Sequence, residues 1–305
     1  MARIDALAGV LIALASPMTK GGAVDGAGIG RLVEHVISGG VHGVLALGST
    51  GETASLDERA RREVLDAVVT ASAGRVPVLC GIAQSQLSTA IAEVAAAARA
   101  GADAALVAPP FYYPTDATGV LAFYREVAAG AEIPILVYNI PQFTKVAVDP
   151  TTLATLAREG AVQGIKDSSR DFEYFEGVCV ATRDVPGFRI FTGSDTMLVA
   201  SLAAGGAGTI CGAGNVAPAW VVRIYEEFQR GDLEAARQSQ DRLYTLVTVL
   251  RNGVFPLAIK CALHLQGVCE PWSAPPTRRL DEPLEARLRE KLAGWELLTP
   301  QRSRQ

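Results

Sequence analysis

Eight short apolar runs rich in β-branched residues recur along the chain of 305 residues, and each precedes a turn and a stretch of helical character. Unbroken apolar strands that alternate with helices are typical of a parallel sheet covered on both faces. Eight such units favour a closed barrel over an open doubly wound sheet, so the sequence predicts an α/β fold of the (β/α)8, or TIM-barrel, class. The predicted strands are Val10–Ala15, Gly43–Leu47, Val76–Gly81, Ala104–Ala108, Ile133–Tyr138, Val162–Lys166, Arg189–Thr192 and Gly208–Cys211.

The helices between these runs have recognisable ends. A predicted helix over Asp57–Ala73 begins with acidic residues, which suit the positive end of the helix dipole. Another, over Ser88–Ala100, stops at Gly101, a residue that favours helix C-termini. Asp149 and Pro150 open a further helix, with proline in its first turn.

After the eighth run the sequence is mostly helical. We expect a (β/α)8 barrel over residues 1–218 and a C-terminal helical domain packed on it over residues 219–305, with a frayed tail at Thr299–Gln305. The predicted C-terminal helices are Ala219–Arg230, Leu233–Asn252, Phe255–Gln266 and Pro283–Leu298.

Charge and hydropathy exclude several classes of partner. The net charge is −4 and no basic run occurs, which argues against nucleic-acid binding. No apolar stretch is long enough to span a bilayer. The apolar run near the N-terminus ends at Ser16-Pro17, a turn rather than a cleavage site, so we interpret it as a buried strand of a cytoplasmic protein and not as a signal peptide.

Cysteine and histidine usage limits the possible metal and redox chemistry. The five cysteines form no CxxC pair, which suits reduced thiols in the cytosol. Only three histidines occur, so a histidine-rich metal site is hard to assemble, whereas a magnesium site made of carboxylates alone stays open.

Lys166 is the most informative single residue. Barrels of this class carry their functional residues at the C-terminal ends of the strands, and Lys166, one of five lysines, closes the sixth run. A free lysine has a pKa of about 10.4, and burial lowers it toward the neutral amine that attacks a carbonyl carbon. Position alone equally allows a structural pairing with Asp167.

Two further segments supply what Schiff-base chemistry with a 2-oxo acid requires. Tyr138 ends the fifth run and could shuttle protons, although a core tyrosine with a bonded hydroxyl also fits there. After the second run, Ser49 and Thr50 lie between Gly48 and Gly51. Their hydroxyls and N–H groups could form a cradle for a carboxylate, or an ordinary helix cap.

Three motifs resemble the signatures of the dihydrodipicolinate synthase / N-acetylneuraminate lyase family: Gly48-Ser49-Thr50-Gly51-Glu52, Tyr138-Asn139-Ile140-Pro141 and Gly164-Ile165-Lys166-Asp167-Ser168-Ser169. The resemblance extends from about Gly9 to the C-terminal helices. It implies a barrel with a C-terminal helical domain, assembled as a homotetramer that is a dimer of dimers. It also implies class I aldolase chemistry with pyruvate, without a metal or an organic cofactor.

The resemblance assigns roles to four of these residues. Lys166 would be the Schiff-base lysine and Tyr138 the tyrosine that transfers protons. Ser49 and Thr50 would hold the carboxylate of the 2-oxo acid, and the Ser49 hydroxyl would relay protons to Tyr138.

Other roles follow from the same resemblance. In family members a second tyrosine, supplied by a neighbouring subunit, completes the proton relay. Tyr112 is the best match in this chain, and Tyr113 is the alternative. The backbone carbonyl of Ile210 would lie near the bound oxo acid. The complete set of predicted substrate contacts is Ser49, Thr50, Ile210, Ser168, Gly193 and Asp195.

Departures from the family pattern bear on the substrate. Dihydrodipicolinate synthases carry an arginine shortly after Tyr-Asn-x-Pro that grips the carboxylate of aspartate semialdehyde, and here that position is Phe143. A neutral aromatic side chain cannot supply this bidentate contact, and Lys145 would be a looser point charge. Sialic acid lyases carry an acidic pair after strand seven, of which only Asp195 is present, and Gly212 stands where serine is expected.

Arg170 is a further departure, because the family commonly has glycine at this position. We interpret Arg170 as a solvated arginine at a helix start. An inward orientation would instead favour a substrate with a distal carboxylate.

The sequence therefore predicts a Schiff-base lyase or aldolase that acts on pyruvate and an aldehyde, with a 2-oxo-3-deoxy sugar acid or a hydroxy-oxo acid as substrate. The alternatives are 4-hydroxy-tetrahydrodipicolinate synthase, N-acetylneuraminate lyase, an oxo-sugar-acid dehydratase and a barrel that binds oxo acids without catalysis. A phosphate site at the glycines of residues 205–208 and 212–214 lacks basic neighbours, so we interpret these glycines as room for the substrate.

Overall fold

A computed structural model describes residues 7–277 and 279–298 of the chain. Eight parallel strands form a closed barrel in chain order, and the eighth pairs with the first. The predicted (β/α)8 fold is confirmed, and each predicted run coincides with one strand to within a few residues. The strands are β1 Gly9–Ala13, β2 Gly43–Ala46, β3 Val78–Ile82, β4 Ala104–Val107, β5 Ile135–Asn139, β6 Gly164–Asp167, β7 Arg189–Thr192 and β8 Gly208–Cys211.

The barrel closes where two glycines face each other. Gly9 of β1 and Gly208 of β8 are register partners. A Cβ atom on Gly208 would overlap the carbonyl oxygen of Gly9, so the absence of a side chain lets the two strands approach.

Twelve α-helices are present in the described ranges. They are α1 Gly26–Ser38, α2 Glu58–Ser72, α3 Leu87–Ala100, α4 Ala117–Ala129, α5 Pro141–Thr144, α6 Pro150–Arg158, α7 Phe172–Ala181, α8 Leu198–Ala203, α9 Pro218–Gln229, α10 Leu233–Leu250, α11 Leu257–Leu265 and α12 Glu282–Gly294. All four predicted C-terminal helices are among them, with ends shifted by up to a few residues.

The predicted helix ends have the expected geometry. The Asp57 side chain accepts a hydrogen bond from the N–H of Ala60 at the start of α2. Asp149 does the same for α6, where Pro150 takes the first position. Gly101 ends α3 with a φ of +92°, a conformation that glycine adopts without strain.

Helix α9 follows β8 and contacts both α8 and β1, which is the position of the eighth helix of a barrel. Helix α10 packs on α9, and α11 and α12 contact α10. The division of the chain at residue 218 stays a prediction. The predicted tail at Thr299–Gln305 lies outside the described residues.

The barrel interior is filled by apolar side chains that alternate along the strands. An inner layer of fully buried leucines lies below the C-terminal ends of the strands, and it consists of Leu11, Leu45, Leu79, Leu106 and Leu136. This layer forms a floor on which the residues at the strand ends sit. Within the described ranges, no helix combines the length and apolar character that crossing a membrane requires.

Candidate active site

Lys166 and Tyr138 lie side by side at the C-terminal ends of two neighbouring strands. They are register partners between β6 and β5. The Lys166 Nζ atom lies 3.4 Å from the Tyr138 hydroxyl and 4.5 Å from the centre of its ring. Lys166 is only 3% exposed. The pair therefore places an amine and a phenol in contact inside the mouth of the barrel.

Ser49 extends this contact to the loop after β2. Its hydroxyl lies 3.2 Å from the Tyr138 hydroxyl, so Lys166, Tyr138 and Ser49 form a continuous polar chain. Thr50 is buried next to it. Helix α2 is capped by Asp57, and the short 3-10 turn before it has no side-chain cap. Ser49 and Thr50 are therefore not helix caps, which leaves their hydroxyls for other partners.

Asp167 does not pair with Lys166. Its carboxylate accepts hydrogen bonds from the Asn139 side-chain amide at 2.8 Å and from the Ser169 hydroxyl at 2.9 Å. Burial raises the pKa of Asp167, and these hydrogen bonds oppose the shift. Successive residues of a strand point to opposite faces, so Asp167 and Asn139 face outward where Lys166 and Tyr138 face inward. The alternative of a structural Lys166–Asp167 pair is wrong.

Glu52 connects the Ser49–Thr50 loop to the C-terminal helices. Its carboxylate forms a buried ion pair with Lys260 of α11 and accepts a hydrogen bond from the N–H of Ala274 at 2.9 Å. Lys260 also donates to the carbonyl of Trp272 at 2.8 Å and is fully buried. Burial lowers the pKa of Lys260, against the opposing effect of the Glu52 carboxylate. The ion pair thus holds the Ser49–Thr50 loop, which would bind the substrate carboxylate, against the C-terminal helices.

A single cavity of about 420 Å³ brings most of the predicted residues together. Its size falls within the range of small-molecule sites. Asp195 lies at its wall, with the carboxylate accepting a 2.7 Å hydrogen bond from the N–H of Ala213. Burial raises the pKa of Asp195. The predicted site residues that line this cavity are Ser49, Thr50, Tyr138, Lys166, Ser168, Gly193, Asp195 and Ile210.

Two glycines of the cavity wall differ in the space around them. A Cβ atom on Gly193 would lie 2.9 Å from Cε of Lys166 and would overlap the Ser168 hydroxyl. At Gly212 the nearest atoms would be 3.6 Å away, on Ile259 and Thr50, which is ordinary contact. A side chain at position 193 would therefore force Ser168 or Lys166 to shift, while position 212 leaves open volume.

Of the other glycines after strands seven and eight, Gly205 has open space around it but does not line the cavity, whereas Gly206, Gly208 and Gly214 pack against protein atoms. A Cβ atom on Gly206 would lie 2.7 Å from the carbonyl oxygen of Ser201, and one on Gly214 would overlap Ile12. The interpretation of these glycines as room for the substrate is thus wrong for Gly206, Gly208 and Gly214, which permit close packing. It fits Gly212, which lines the cavity.

Tyr112 and Tyr113 lie outside the cavity. Their side chains are 84% and 76% exposed, and their rings meet edge to face at 5.0 Å. Tyr112 has a φ of +79°, an uncommon conformation for a residue with a side chain. Neither tyrosine reaches Lys166 within its own chain, so the role of Tyr112 in a neighbouring subunit stays a prediction.

The cavity includes residues that sequence reasoning missed or interpreted differently. Arg251 and Phe255, beyond the end of α10, line it and were not predicted. Arg170 is exposed, as expected for a solvated arginine, yet it also lines the cavity. Lys145 is not part of the lining, and its ammonium group donates to the Gln142 carbonyl at 2.8 Å. Nothing local in the sequence identifies Arg251, because a separate helix brings it to the barrel mouth.

Two other cavities differ in their chemistry. A cavity of about 700 Å³ lies between α2 and α3 and includes the Arg61–Glu93 ion pair. It is lined by one cysteine, Cys80, whose thiol pKa is raised by burial to about 12. A cavity of about 280 Å³ adjoins the site behind Tyr138 and has Phe143 in its wall. In residues 7–277 and 279–298, no three His, Cys, Asp or Glu side chains are arranged to hold a metal.

Comparison with known proteins agrees with this geometry. Residues 6–293 match the model of the dihydrodipicolinate synthetase family. An uncharacterized DapA-like lyase of Halobacterium salinarum is 38% identical over 263 residues, which cover 86% of each chain. A 4-hydroxy-tetrahydrodipicolinate synthase of Hyphomonas neptunium is 36% identical over 278 residues, covering 91% of this chain and 94% of the relative.

Solved structures give the same result. A monomeric dihydrodipicolinate synthase variant superposes with a TM-score of 0.93 at 29% identity, covering 97% of this chain and 99% of its own. YagE, a prophage protein from E. coli K12 that was solved with pyruvate, superposes with a TM-score of 0.92 at 28% identity, covering 95% and 99%. The predicted resemblance is confirmed: this chain belongs to the dihydrodipicolinate synthetase family and is a lyase of the class I, pyruvate-dependent aldolase type.

Proposed function

We propose that this enzyme cleaves or forms the bond between pyruvate and an aldehyde through an imine on Lys166, with a 2-oxo-3-deoxy sugar acid or a hydroxy-oxo acid as its substrate. The observation that carries the proposal is the polar chain from Lys166 through Tyr138 to Ser49, which lies in one cavity at the C-terminal end of the barrel. Amine, proton shuttle and relay are the groups that imine formation requires.

In the first step the neutral amine of Lys166 adds to the C2 carbonyl carbon of the oxo acid. The Tyr138 hydroxyl, 3.4 Å from the amine, moves a proton to the carbinolamine oxygen, and water leaves. The products are a protonated imine and one water molecule. Ser49 then relays a proton taken up from solvent to Tyr138 through its 3.2 Å contact, which restores both hydroxyls.

In the cleavage direction, a base removes the proton of the C4 hydroxyl and the C3–C4 bond breaks. Its electron pair passes into the imine, which gives an aldehyde and an enamine on Lys166. Protonation of the enamine at C3 and hydrolysis of the imine then release pyruvate. A dehydratase would use the same imine but expel the C4 hydroxyl as water, after loss of a C3 proton.

The remaining roles concern binding. Ser49 and Thr50 would hold the carboxylate next to the ketone, and the Ile210 carbonyl would face the bound oxo acid. Ser168, Gly193 and Asp195 line the rest of the cavity, where Asp195 could accept hydrogen bonds from substrate hydroxyls. None of these steps requires a metal or an organic cofactor.

The quaternary and cellular setting also belongs to the proposal. We expect a homotetramer, a dimer of dimers in which Tyr112 of a neighbouring subunit completes the proton relay. The cytoplasm suits the five unpaired cysteines, because it keeps thiols reduced.

A second candidate is 4-hydroxy-tetrahydrodipicolinate synthase, since relatives with 31–36% identity carry that name. That reaction condenses pyruvate with aspartate semialdehyde. Phe143 lies where the family has the arginine for the aldehyde's carboxylate, and its ring is 56% exposed and packs 6.3 Å from Phe255. This apolar pair disfavours the second candidate.

The test is borohydride trapping with pyruvate, read by intact mass. We expect one adduct on the wild type and none on Lys166→Ala, whereas Lys145→Ala, a change outside the cavity, retains the adduct. An unmodified wild type would end the imine proposal. The substrate class is then tested by comparing kcat/KM for 2-oxo-3-deoxy sugar acids, sialic acid and aspartate semialdehyde. A preference for aspartate semialdehyde would favour the second candidate.

A further inference from the structure

Two arginines face the cavity that contains Lys166, and the proposed reaction assigns neither a role. Arg170 follows β6, the strand that carries Lys166, and Arg251 follows α10 in the C-terminal helices. The two guanidinium groups therefore reach the same cavity from separate parts of the fold. Both side chains are exposed, so a ligand in the barrel mouth has access to them.

Neither guanidinium has an ion-pair or hydrogen-bond partner among residues 7–277 and 279–298. Most other arginines of the exposed helices are paired, as Arg125 is with Glu159 and Arg158 with Asp184. An arginine that lines a cavity with its donors unused is suited to bind a carboxylate through two parallel hydrogen bonds.

The wall of this cavity carries more positive than negative charge. Its basic members are Lys166, which reacts as the neutral amine, and the two cations Arg170 and Arg251, and its one carboxylate is that of Asp195. The carboxylate beside the reacting ketone is assigned to Ser49 and Thr50, on the β2 side of the cavity. The two arginines therefore outnumber the single carboxylate of Asp195, and one further negative charge on a bound ligand would balance them.

The electrostatics of Arg251 show that the two arginines act on each other. Burial, followed by the positive charge of Arg170, lowers the pKa of Arg251, and the Asp195 carboxylate opposes this effect. The Asp195 carboxylate also accepts a hydrogen bond from the N–H of Ala213, so it only partly offsets the positive charge of Arg170 and Arg251. An anion bound between the two arginines would relieve their repulsion.

The backbone at Arg170 adds a second argument. Its φ of +65° lies in the left-handed region, which costs free energy for a residue with a side chain and none for glycine. Helix α7 begins only at Phe172 and is capped by Asp171, so Arg170 has no capping role. The left-handed backbone makes arginine a costly residue at this position, and a contact of its guanidinium with a ligand would offset that cost.

Arg251 has a structural alternative, since a cation at the C-terminus of α10 interacts favourably with the helix dipole. Any orientation of the Arg251 side chain near the last turn of α10 would give this stabilisation. It does not account for the presence of Arg251 in the wall of the cavity that Arg170 also lines.

We propose that Arg170 and Arg251 together bind a second, distal carboxylate of the substrate, so that the enzyme acts on 2-oxo diacids, with hydroxy-oxo diacids and 2-oxo-3-deoxy sugar diacids as the substrate class. This inference rests on the proposed function, because it concerns the far end of a molecule whose ketone forms the imine with Lys166. The binding mode differs from an arginine after Tyr-Asn-x-Pro, which Phe143 replaces.

The test compares 2-oxo acids of equal chain length with and without the distal carboxylate. The pairs are 2-oxoglutarate with 2-oxopentanoate, and 2-oxoadipate with 2-oxohexanoate. The concentration that gives half-maximal borohydride trapping is measured by intact mass. For at least one pair we expect the diacid to trap at about tenfold lower concentration, the effect of one hydrogen-bonded ion pair. Because no aldehyde is added, the result is independent of aspartate semialdehyde turnover.

The variants Arg170→Gln and Arg251→Gln should each remove most of this preference, because the two arginines bind the carboxylate together, and leave the trapping of pyruvate, which has no distal carboxylate, in place. The control is Arg183→Gln, an exposed arginine between α7 and β7 at the other end of the barrel, which should retain the full preference. A wild type that traps pyruvate but shows no diacid preference would overturn this inference alone. A preference that survives both variants would overturn the assignment to these arginines. A wild type that traps no pyruvate would contradict the proposed function itself.

Discussion

The Lys166 amine and the Tyr138 hydroxyl lie 3.4 Å apart because the two residues are register partners on adjacent strands. Parallel pairing brings the ends of β5 and β6 together, and the alternation of side chains turns both residues into the barrel. The same register places Asn139 beside Asp167 on the outer face, where their side chains hydrogen-bond at 2.8 Å. The pairing of β5 with β6 therefore forms both the Lys166–Tyr138 contact inside the barrel and the Asn139–Asp167 hydrogen bond outside it.

Tyr138→Phe should keep the fold and slow turnover by at least about 10²-fold, because it removes the proton shuttle while the ring stays in place. The measurement is kcat with the best 2-oxo acid of the substrate panel, together with circular dichroism. The control is Tyr244→Phe, a change on the exposed side of α10, which should have normal turnover. Near-normal turnover of Tyr138→Phe would mean that another group moves the proton.

Gly193→Ala should abolish imine formation although no reacting group is changed. The new methyl group would meet Cε of Lys166 at 2.9 Å and the Ser168 hydroxyl even closer, and we expect the resulting shift of the lysine to break its contact with Tyr138. Borohydride trapping with pyruvate measures this loss. Gly212→Ala is the matched control, since its methyl group would have only 3.6 Å contacts. Equal trapping by both variants would show that the lysine does not depend on the space at position 193.

The sequence predicted the barrel and the residues at its strand ends because both follow from local patterns. Short apolar runs identify parallel strands, and a lysine that closes such a run must lie at the end where barrel sites form. The orientation of Asp167 also follows from alternation along β6, since Lys166 and Asp167 must face opposite sides. That signal was present in the sequence and would have excluded their pairing.

Contacts between distant parts of the chain could not be predicted in this way. Arg251 reaches the barrel mouth only because α10 packs on α9, and the Glu52–Lys260 ion pair joins the loop after β2 to α11. Both depend on how the C-terminal helices dock, which periodicity within one helix does not specify. Lys260 resembles any lysine of an amphipathic helix until packing buries it.

Lys260→Met should lower the free energy of unfolding by about 3–5 kcal/mol, because it leaves the Glu52 carboxylate buried without its cation. Denaturant unfolding measures this loss. Combining it with Glu52→Gln should recover part of the stability, since the amide keeps an acceptor for the N–H of Ala274 and carries no charge. The exposed Lys291 of α12 supplies a control, Lys291→Met, with stability unchanged. Stability of Lys260→Met equal to that of the wild type would show that Glu52 is solvated.

Tyr112→Phe should slow turnover by about tenfold or more, whereas Tyr113→Phe should have little effect. The reason is that Tyr112 is 84% exposed in its own chain and would act only in the site of a neighbouring subunit. Its backbone has a φ of +79°, an uncommon conformation for a residue with a side chain. Turnover is measured across a dilution series in parallel with light scattering. Specific activity should fall as the oligomer dissociates, for Tyr113→Phe as for the wild type. A fully active monomer, or normal turnover of Tyr112→Phe in the oligomer, would contradict the cross-subunit role.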